Sequence, residues 1–83
     1  MTLPTDPAMA EAQAWLRDRD LSYRQLTRYQ IKIGRRVSYY PSKGTTFVDG
    51  EDGARQRTGF LGLEEVLQEL GYTQETYVLT LKN

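Results

Sequence analysis

The sequence predicts a small α+β domain with the element order α-β-β-β-α-β, in which two helices pack on one face of an antiparallel three-stranded meander. Three observations support this fold class. Apolar residues recur at helical spacing near both ends of the chain, apolar and polar residues alternate between residues 28 and 49, and two turn-forming sequences divide that middle region. The 83 residues are enough for one domain, spanning 1–83.

The first helix is predicted over residues 7–19, after a frayed tail at residues 1–5. Asp6 is suited to cap this helix, and Pro7 fits its first position because the missing N–H has no partner there. The residues at three-and-four spacing form one apolar stripe: Ala8, Met9, Ala12, Trp15 and Leu16. Trp15 is therefore predicted to lie in the core.

The middle of the chain predicts three strands. Residues 21–26 are interpreted as a connector, with Tyr23 or Leu26 covering the core. In the first strand, residues 28–33, alternation directs three residues to the core and three to the other face: Tyr29, Ile31 and Ile33 inward, and Arg28, Gln30 and Lys32 outward. A turn at Gly34 leads to the second strand, residues 37–40, and the Pro41–Gly44 turn leads to the third, residues 45–49.

The last third predicts a polar loop at residues 51–58, a second helix and a final strand. The helix stripe comprises Leu63, Val66, Leu67 and Leu70. If Gly62 is the N-cap, Glu64 and Glu65 lie in the first turn and Leu61 packs onto Val66, while Gly71 ends the helix. Alternation over residues 77–82 predicts a fourth strand that joins a sheet edge or pairs with a second molecule as a homodimer.

The charge distribution is uneven along the chain. Residues 1–20 carry a formal charge of −2, residues 21–48 carry +6 and residues 49–83 carry −4, which together give the net charge of zero. The chain has neither Cys nor His, which excludes disulfides and the usual zinc ligands. It shows no signal-peptide pattern and no apolar run of about 20 residues, so we expect a soluble cytoplasmic protein.

The basic middle third predicts a binding surface in which cations are interleaved with tyrosines. Its residues are Arg24, Arg28, Lys32, Arg35, Arg36, Tyr39, Tyr40 and Lys43. Cations suit phosphates or acidic surfaces, and aromatic rings suit bases. The alternative is a solvated sheet face whose tyrosines pair across strands, although six cations without an intervening acid are unusual on such a face.

The acids that follow form a second candidate surface, comprising Asp49, Glu51 and Asp52. Carboxylates suit Mg²⁺ or Ca²⁺, but the ligand spacing of an EF-hand is missing, so we predict an ordinary turn and no metal. Phosphate binding by Ser42, Thr45 and Thr46 near Gly44 is the weaker alternative to a structural turn, because the pattern is far from a P-loop. No nucleophile or carboxylate has a recognisable catalytic partner, so we predict no enzymatic activity and no cofactor.

Two resemblances add expectations. The α-β-β-β-α order over residues 7–71, ending in LEEVLQELGY, resembles the double-stranded-RNA-binding fold and its relatives, the mRNA-interferase toxins. Those toxins use a strand histidine that this chain lacks, so their activity is not expected here. The stretch IKIGRRVSYYPSKGTTFVDG and the Leu-rich helix after it, residues 30–70, are similar to small uncharacterised phage and prophage proteins with an I-G-x-x-x-x-Y-Y-P-S-x-G-T hairpin.

These observations predict a non-enzymatic binding protein of a phage or mobile element. We expect it to engage and inhibit a host protein or nucleoprotein complex that handles nucleic acid, as anti-CRISPR proteins do, with the basic and aromatic hairpins or the acidic loop as the contact surface. The alternative is a small RNA- or DNA-binding protein that uses the basic and aromatic sheet face.

Overall fold

The structure is a computed structural model that describes residues 5–72. They form two helices and a four-stranded antiparallel sheet with strand order β1-β2-β3-β4. The elements, in chain order, are α1 (Pro7–Asp18), β1 (Tyr23–Gln25), β2 (Ile31–Ile33), β3 (Val37–Tyr40), β4 (Thr45–Val48) and α2 (Gly59–Glu69). The predicted α+β class is confirmed.

The core lies between one face of the sheet and the two helices. Its fully buried side chains come from both helices and from three of the strands: Met9, Ala12, Leu16, Ile31, Ile33, Val37, Tyr39, Val48, Leu63, Val66 and Leu67. Trp15 is half-buried against this core, and its ring stacks on that of Phe60 at 5.1 Å between centroids. The prediction for Trp15 is thus confirmed in part, because the indole packs against the core at the contact between the two helices but is not fully buried.

Helix α1 begins where the sequence predicts. Asp6 accepts a hydrogen bond at 2.9 Å from the backbone N–H of Met9, and Pro7 follows at the first helical position. The Asp6 carboxylate thereby satisfies one of the N–H groups that have no partner within the helix.

One element differs from the predicted order, because the segment interpreted as a connector contains strand β1. It pairs with β2 in a register that sets Tyr23 opposite Ile33 and Gln25 opposite Ile31. Tyr23 and Gln25 face α1, where Arg17 donates to the Tyr23 hydroxyl at 3.0 Å and Gln13 donates to Gln25 at 2.9 Å. The fourth strand is therefore supplied by a segment before the predicted meander, and the predicted strand at residues 77–82 lies outside the described residues.

The start of β2 was predicted too early, and the inward orientation of Tyr29 is wrong. Residues 26–30 form a turn in which the Thr27 hydroxyl accepts hydrogen bonds from the backbone N–H groups of Tyr29 and Gln30, at 3.1 and 3.0 Å. Because Tyr29 lies in this turn, strand alternation does not fix its direction, and its side chain is 55% exposed.

Helix α2 begins three residues earlier than the proposed cap at Gly62. Thr58 is the N-cap, Gly62 is buried inside the helix, and Leu61 is 71% exposed and does not cover Val66. The predicted first-turn placement of Glu64 and Glu65 is therefore also wrong. Gly71 ends the helix as predicted, with a φ of +80° and its N–H donating to the Gln68 carbonyl oxygen at 3.1 Å.

Neither helix within residues 5–72 has the length and apolar character required to cross a membrane.

Candidate binding site on the open face of the sheet

The sheet has a second face, directed away from the helices, which we call the open face. Register places Arg24 of β1 opposite Lys32 of β2, Lys32 opposite Ser38 of β3, and Ser38 opposite Phe47 of β4. Successive residues in a strand point to opposite faces, so these four form one row across the open face. Tyr40 lies on the same face, one step closer to the β3–β4 turn.

Tyr39 was predicted to belong to the binding surface, and this is wrong. It lies opposite Ile31 on the core face, is 2% exposed, and its ring packs on Phe60 with 6.0 Å between centroids. Burial, with a smaller contribution from the charge of Glu11, raises the pKa of the Tyr39 hydroxyl above its ordinary value. Adjacent strand residues cannot share a face, so only Tyr40 of this pair contributes to the open face.

The fold brings an acid into the predicted basic surface. The Lys32 ammonium contacts both carboxylate oxygens of Asp49, at 2.8 and 2.9 Å, and the Lys32 side chain is only 17% exposed. Ser38 lies opposite Lys32 on the intervening strand, where its small side chain leaves space for this contact. The centre of the open face is therefore an ion pair, and Lys32 is not available as a free cation.

A second acid lies near the β2–β3 turn. The charge of Arg36 acts on Glu51, whose pKa is lowered mainly by the hydrogen bond from Arg55. Arg55 contacts Glu51 at 2.6 Å and Glu69 of α2 at 2.6 Å, and so ties the loop after β4 to the second helix. Asp49 and Glu51 thus belong to the same end of the sheet as Arg36, whereas Asp52 is exposed in the loop. The two predicted surfaces are therefore one mixed surface at this end.

The remaining cations separate towards the two ends of the strands. In an antiparallel meander the β1–β2 and β3–β4 turns share one end, and the β2–β3 turn lies at the other. Arg28 and Lys43 belong to the first end, and Arg35 and Arg36 belong to the second. The six cations therefore form no continuous basic track.

A cleft lies at the end that carries Arg28 and Lys43. It has a volume of about 430 Å³ and is lined by Tyr29, Tyr40, Ser42 and Lys43; we call it the aromatic cleft. A neighbouring hollow of about 310 Å³ shares Tyr40 and Lys43 with it and continues to Thr45 and Phe47. The Tyr40 and Phe47 rings meet edge to face, with 5.6 Å between centroids and an angle of 77°. The two hollows therefore lie next to each other, with Tyr40 and Lys43 lining both.

The walls of the aromatic cleft are fixed by backbone contacts. On one side, the Thr27 hydrogen bonds described above hold the turn that carries Tyr29. On the other, Gly44 has a φ of +71° and its carbonyl oxygen accepts a hydrogen bond at 2.8 Å from the Gly59 N–H at the start of α2. A side chain at position 44 would meet the Gly59 backbone at 2.9 Å, so glycine is required for this close approach. The turn that carries Lys43 is therefore anchored on the second helix.

The cations beside the cleft carry no ion pair with any carboxylate of residues 5–72. The Arg28 guanidinium lies over the Tyr29 ring at 5.8 Å from its centroid, and Lys43 is exposed at the tip of the β3–β4 turn. Arg24 is likewise exposed on the open face. Among residues 5–72, the charges beside this apolar cleft are therefore positive.

The other predicted chemistry is not assembled in the part of the chain that the structure describes. Thr46 faces the core, with a buried hydroxyl that has no hydrogen-bond partner among these residues, so it does not converge with Ser42 and Thr45 on a common ligand. No group of three or more metal-binding side chains occurs between residues 5 and 72.

Sequence reasoning missed two cleft residues and the neighbouring phenylalanine. Ser42 was assigned to a turn, with phosphate binding as the weaker alternative, and Tyr29 was assigned to the core, while Phe47 was assigned to no surface. A signal for Phe47 was present, because it alternates with Val48, whose apolar side chain marks the core face of β4. No comparable signal identifies Tyr29, since the turn at Thr27 decides its position.

Comparisons with protein-family models, with curated proteins and with solved structures found no significant match to this chain. The likeness to phage proteins and to the double-stranded-RNA-binding fold stays a prediction.

Proposed function

We propose that this chain is a non-enzymatic binding protein that engages a partner protein through the aromatic cleft. The observation that carries the proposal is the combination, at one end of the open face, of exposed aromatic side chains with cations that form no ion pair within residues 5–72. Tyrosine, phenylalanine and arginine are the residue types enriched in protein interfaces, and aromatic anchors in preformed pockets supply most of the binding energy.

The distribution of charge favours a protein over a nucleic-acid strand as the partner. A strand with regularly spaced phosphates requires cations along its path, and much of its affinity comes from them. On the open face, however, Asp49 neutralises the central cation Lys32, and Arg35 and Arg36 lie at the far end of the strands. A compact patch of aromatic surface with two or three cations beside it suits a protein partner better.

The resemblance to phage and prophage proteins supports a biological setting for this binding. The Tyr-Tyr-Pro-Ser-Lys-Gly-Thr hairpin that carries the resemblance includes Tyr40, Ser42 and Lys43, which line the aromatic cleft. The setting we propose is a phage or mobile element whose protein binds a host nucleic-acid-handling complex and obstructs it.

Affinity capture tests this proposal. Tagged protein is incubated with host lysate before and after nuclease treatment, and the bound proteins are identified. We expect a specific partner that survives nuclease treatment and is lost with Lys43→Glu, which changes an exposed residue beside the cleft. The matched control is the double variant Arg35→Glu/Arg36→Glu, which alters charge at the opposite end of the sheet and should retain the partner. Recovery of nothing but nuclease-sensitive material would contradict the proposal.

Direct RNA or DNA binding is the second candidate function. It is favoured by the proximity of Arg28 to Tyr29 and of Lys43 to Tyr40, which pairs a cation with an aromatic ring on each side of the cleft. This function predicts affinity that falls steeply with salt. Absence of a gel shift with single- and double-stranded oligonucleotides at about 50 mM salt would exclude it.

A further inference from the structure

We infer that the aromatic cleft receives one large apolar side chain carried by an acidic segment of the partner protein. The inference rests on the proposed function and specifies the chemistry of the segment that the partner presents.

The lining of the cleft indicates that a large apolar side chain is part of the occupant. The cleft volume of about 430 Å³ lies within the range of about 300–1,000 Å³ typical of ligand pockets, which leaves room for one such side chain and the backbone that carries it. Tyr29 and Tyr40 supply aromatic walls, and Ser42 supplies a hydroxyl at the rim. A leucine, phenylalanine or tryptophan side chain that enters the cleft would bury apolar surface against Tyr29 and Tyr40.

The charges beside the cleft indicate that the flanking residues of the occupant are acidic. Arg28 and Lys43 stand on its two sides, and neither forms an ion pair with a carboxylate among residues 5–72. The acid on the same face, Asp49, is engaged by Lys32. Complementary charges of this kind increase association rates and fix the orientation of a bound segment.

The second hollow next to the cleft indicates an extended segment. The second hollow continues from Tyr40 and Lys43 to Phe47, which is 37% exposed, so a neighbouring side chain of the same segment contacts that ring. The planes of the Tyr40 and Phe47 rings stand at 77° to each other, so the two rings form an angled wall beside this hollow.

The test selects binding peptides from a displayed library of random peptides of about a dozen residues. The full chain is the bait. A Tyr29→Ala/Lys43→Glu variant, which we call the cleft variant, is used for counter-selection. Both side chains are exposed, so the variant is expected to fold, and circular dichroism with a melting curve checks this. If Tyr29→Ala lowers the melting temperature, the single variant Lys43→Glu is used for counter-selection instead.

The expected result is enrichment of peptides with one large apolar residue flanked by Asp or Glu. Peptide affinity is measured by fluorescence polarisation. It should fall by about tenfold or more when the large apolar residue of the peptide is changed to alanine, and by a similar factor when the cleft variant replaces the wild-type protein. The Arg35→Glu/Arg36→Glu control should change affinity by less than about threefold.

Three outcomes would overturn the inference. The first is that no peptide is enriched over counter-selection, and the second is that the enriched peptides lack acids or lack a large apolar residue. The third is peptide binding that the Arg35→Glu/Arg36→Glu variant loses and the cleft variant keeps. A labelled oligothymidine that binds wild-type protein but not the cleft variant, with no peptide enriched, would assign the cleft to nucleic acid instead. If no peptide of this kind is enriched but a nuclease-resistant host partner is still captured by the wild-type protein and lost with Lys43→Glu, the inference fails while the proposed protein-binding function stands.

Discussion

Replacing Gly62 by alanine should destabilise the protein, although helix propensity alone predicts the opposite. Gly62 lies inside α2 and is buried. A methyl group there would meet the Arg57 carbonyl group, with its carbon at 2.7 Å and its oxygen closer still, whereas ordinary contact begins at 3.4 Å. The obstacle is backbone, so it cannot rotate away as a flexible side chain would.

The two opposing effects can be compared in magnitude. Alanine gains about 0.8–1 kcal/mol over glycine in a helix interior, and overpacking of this kind costs about 1–3 kcal/mol. Because backbone has to move, we take about 2–3 kcal/mol for the clash, which leaves a net loss of roughly 1–2 kcal/mol. For a domain of this size that corresponds to a fall in melting temperature of roughly 5–15 °C.

Chemical denaturation followed by circular dichroism measures this difference. Leu61→Ala is the matched control, because Leu61 is in the same helix and exposed, and its free energy of unfolding should stay within about 0.5 kcal/mol of wild type. A Gly62→Ala variant as stable as the wild-type protein, or more stable, would refute the close packing of residue 57 on α2.

Three further predictions concern the cap, the buried tyrosine and the central ion pair. Asp6→Ala removes the acceptor for the Met9 N–H and should cost about 1 kcal/mol in the free energy of unfolding, whereas Asp6→Asn should keep most of it. The pKa of Tyr39 is raised above 10.0 in the folded state. The protonated Tyr39 hydroxyl therefore stabilises the folded state fully at a pH below the pKa of the unfolded state, and this stabilisation is lost as the pH rises through the pKa of the folded state. Denaturation midpoints measured between neutral and alkaline pH should therefore fall less for Tyr39→Phe than for wild type, and equal slopes would contradict this. Asp49→Asn leaves Lys32 without its partner and should lower the free energy of unfolding by about 0.5–1 kcal/mol. A double-mutant cycle that combines it with Lys32→Met isolates the energy of the ion pair, and a coupling energy near zero would show that the pair does not contribute.

The sequence predicted most of the fold, because local patterns report which side of an element faces the core. The stripe of α1, the inward pair Ile31 and Ile33, and the Pro41–Gly44 turn all appear in the structure as expected. The candidate site was predicted less well. Lys43 and Tyr40 were identified from composition, but Tyr39 was placed on the wrong face and Tyr29 was placed in the core.

The sequence by itself determined the α+β class, the helix cap at Asp6 and the concentration of cations in the middle third, because each depends on residues close together in the chain. The tertiary structure alone decided which of those cations form an ion pair within the described residues 5–72. Sheet pairing brings Asp49 to Lys32 across 17 positions of sequence, and the meander sends Arg35 and Arg36 to one end of the strands and Arg28 and Lys43 to the other. Charge neutralisation and cleft formation depend on distances through space, which a pattern along the chain does not contain.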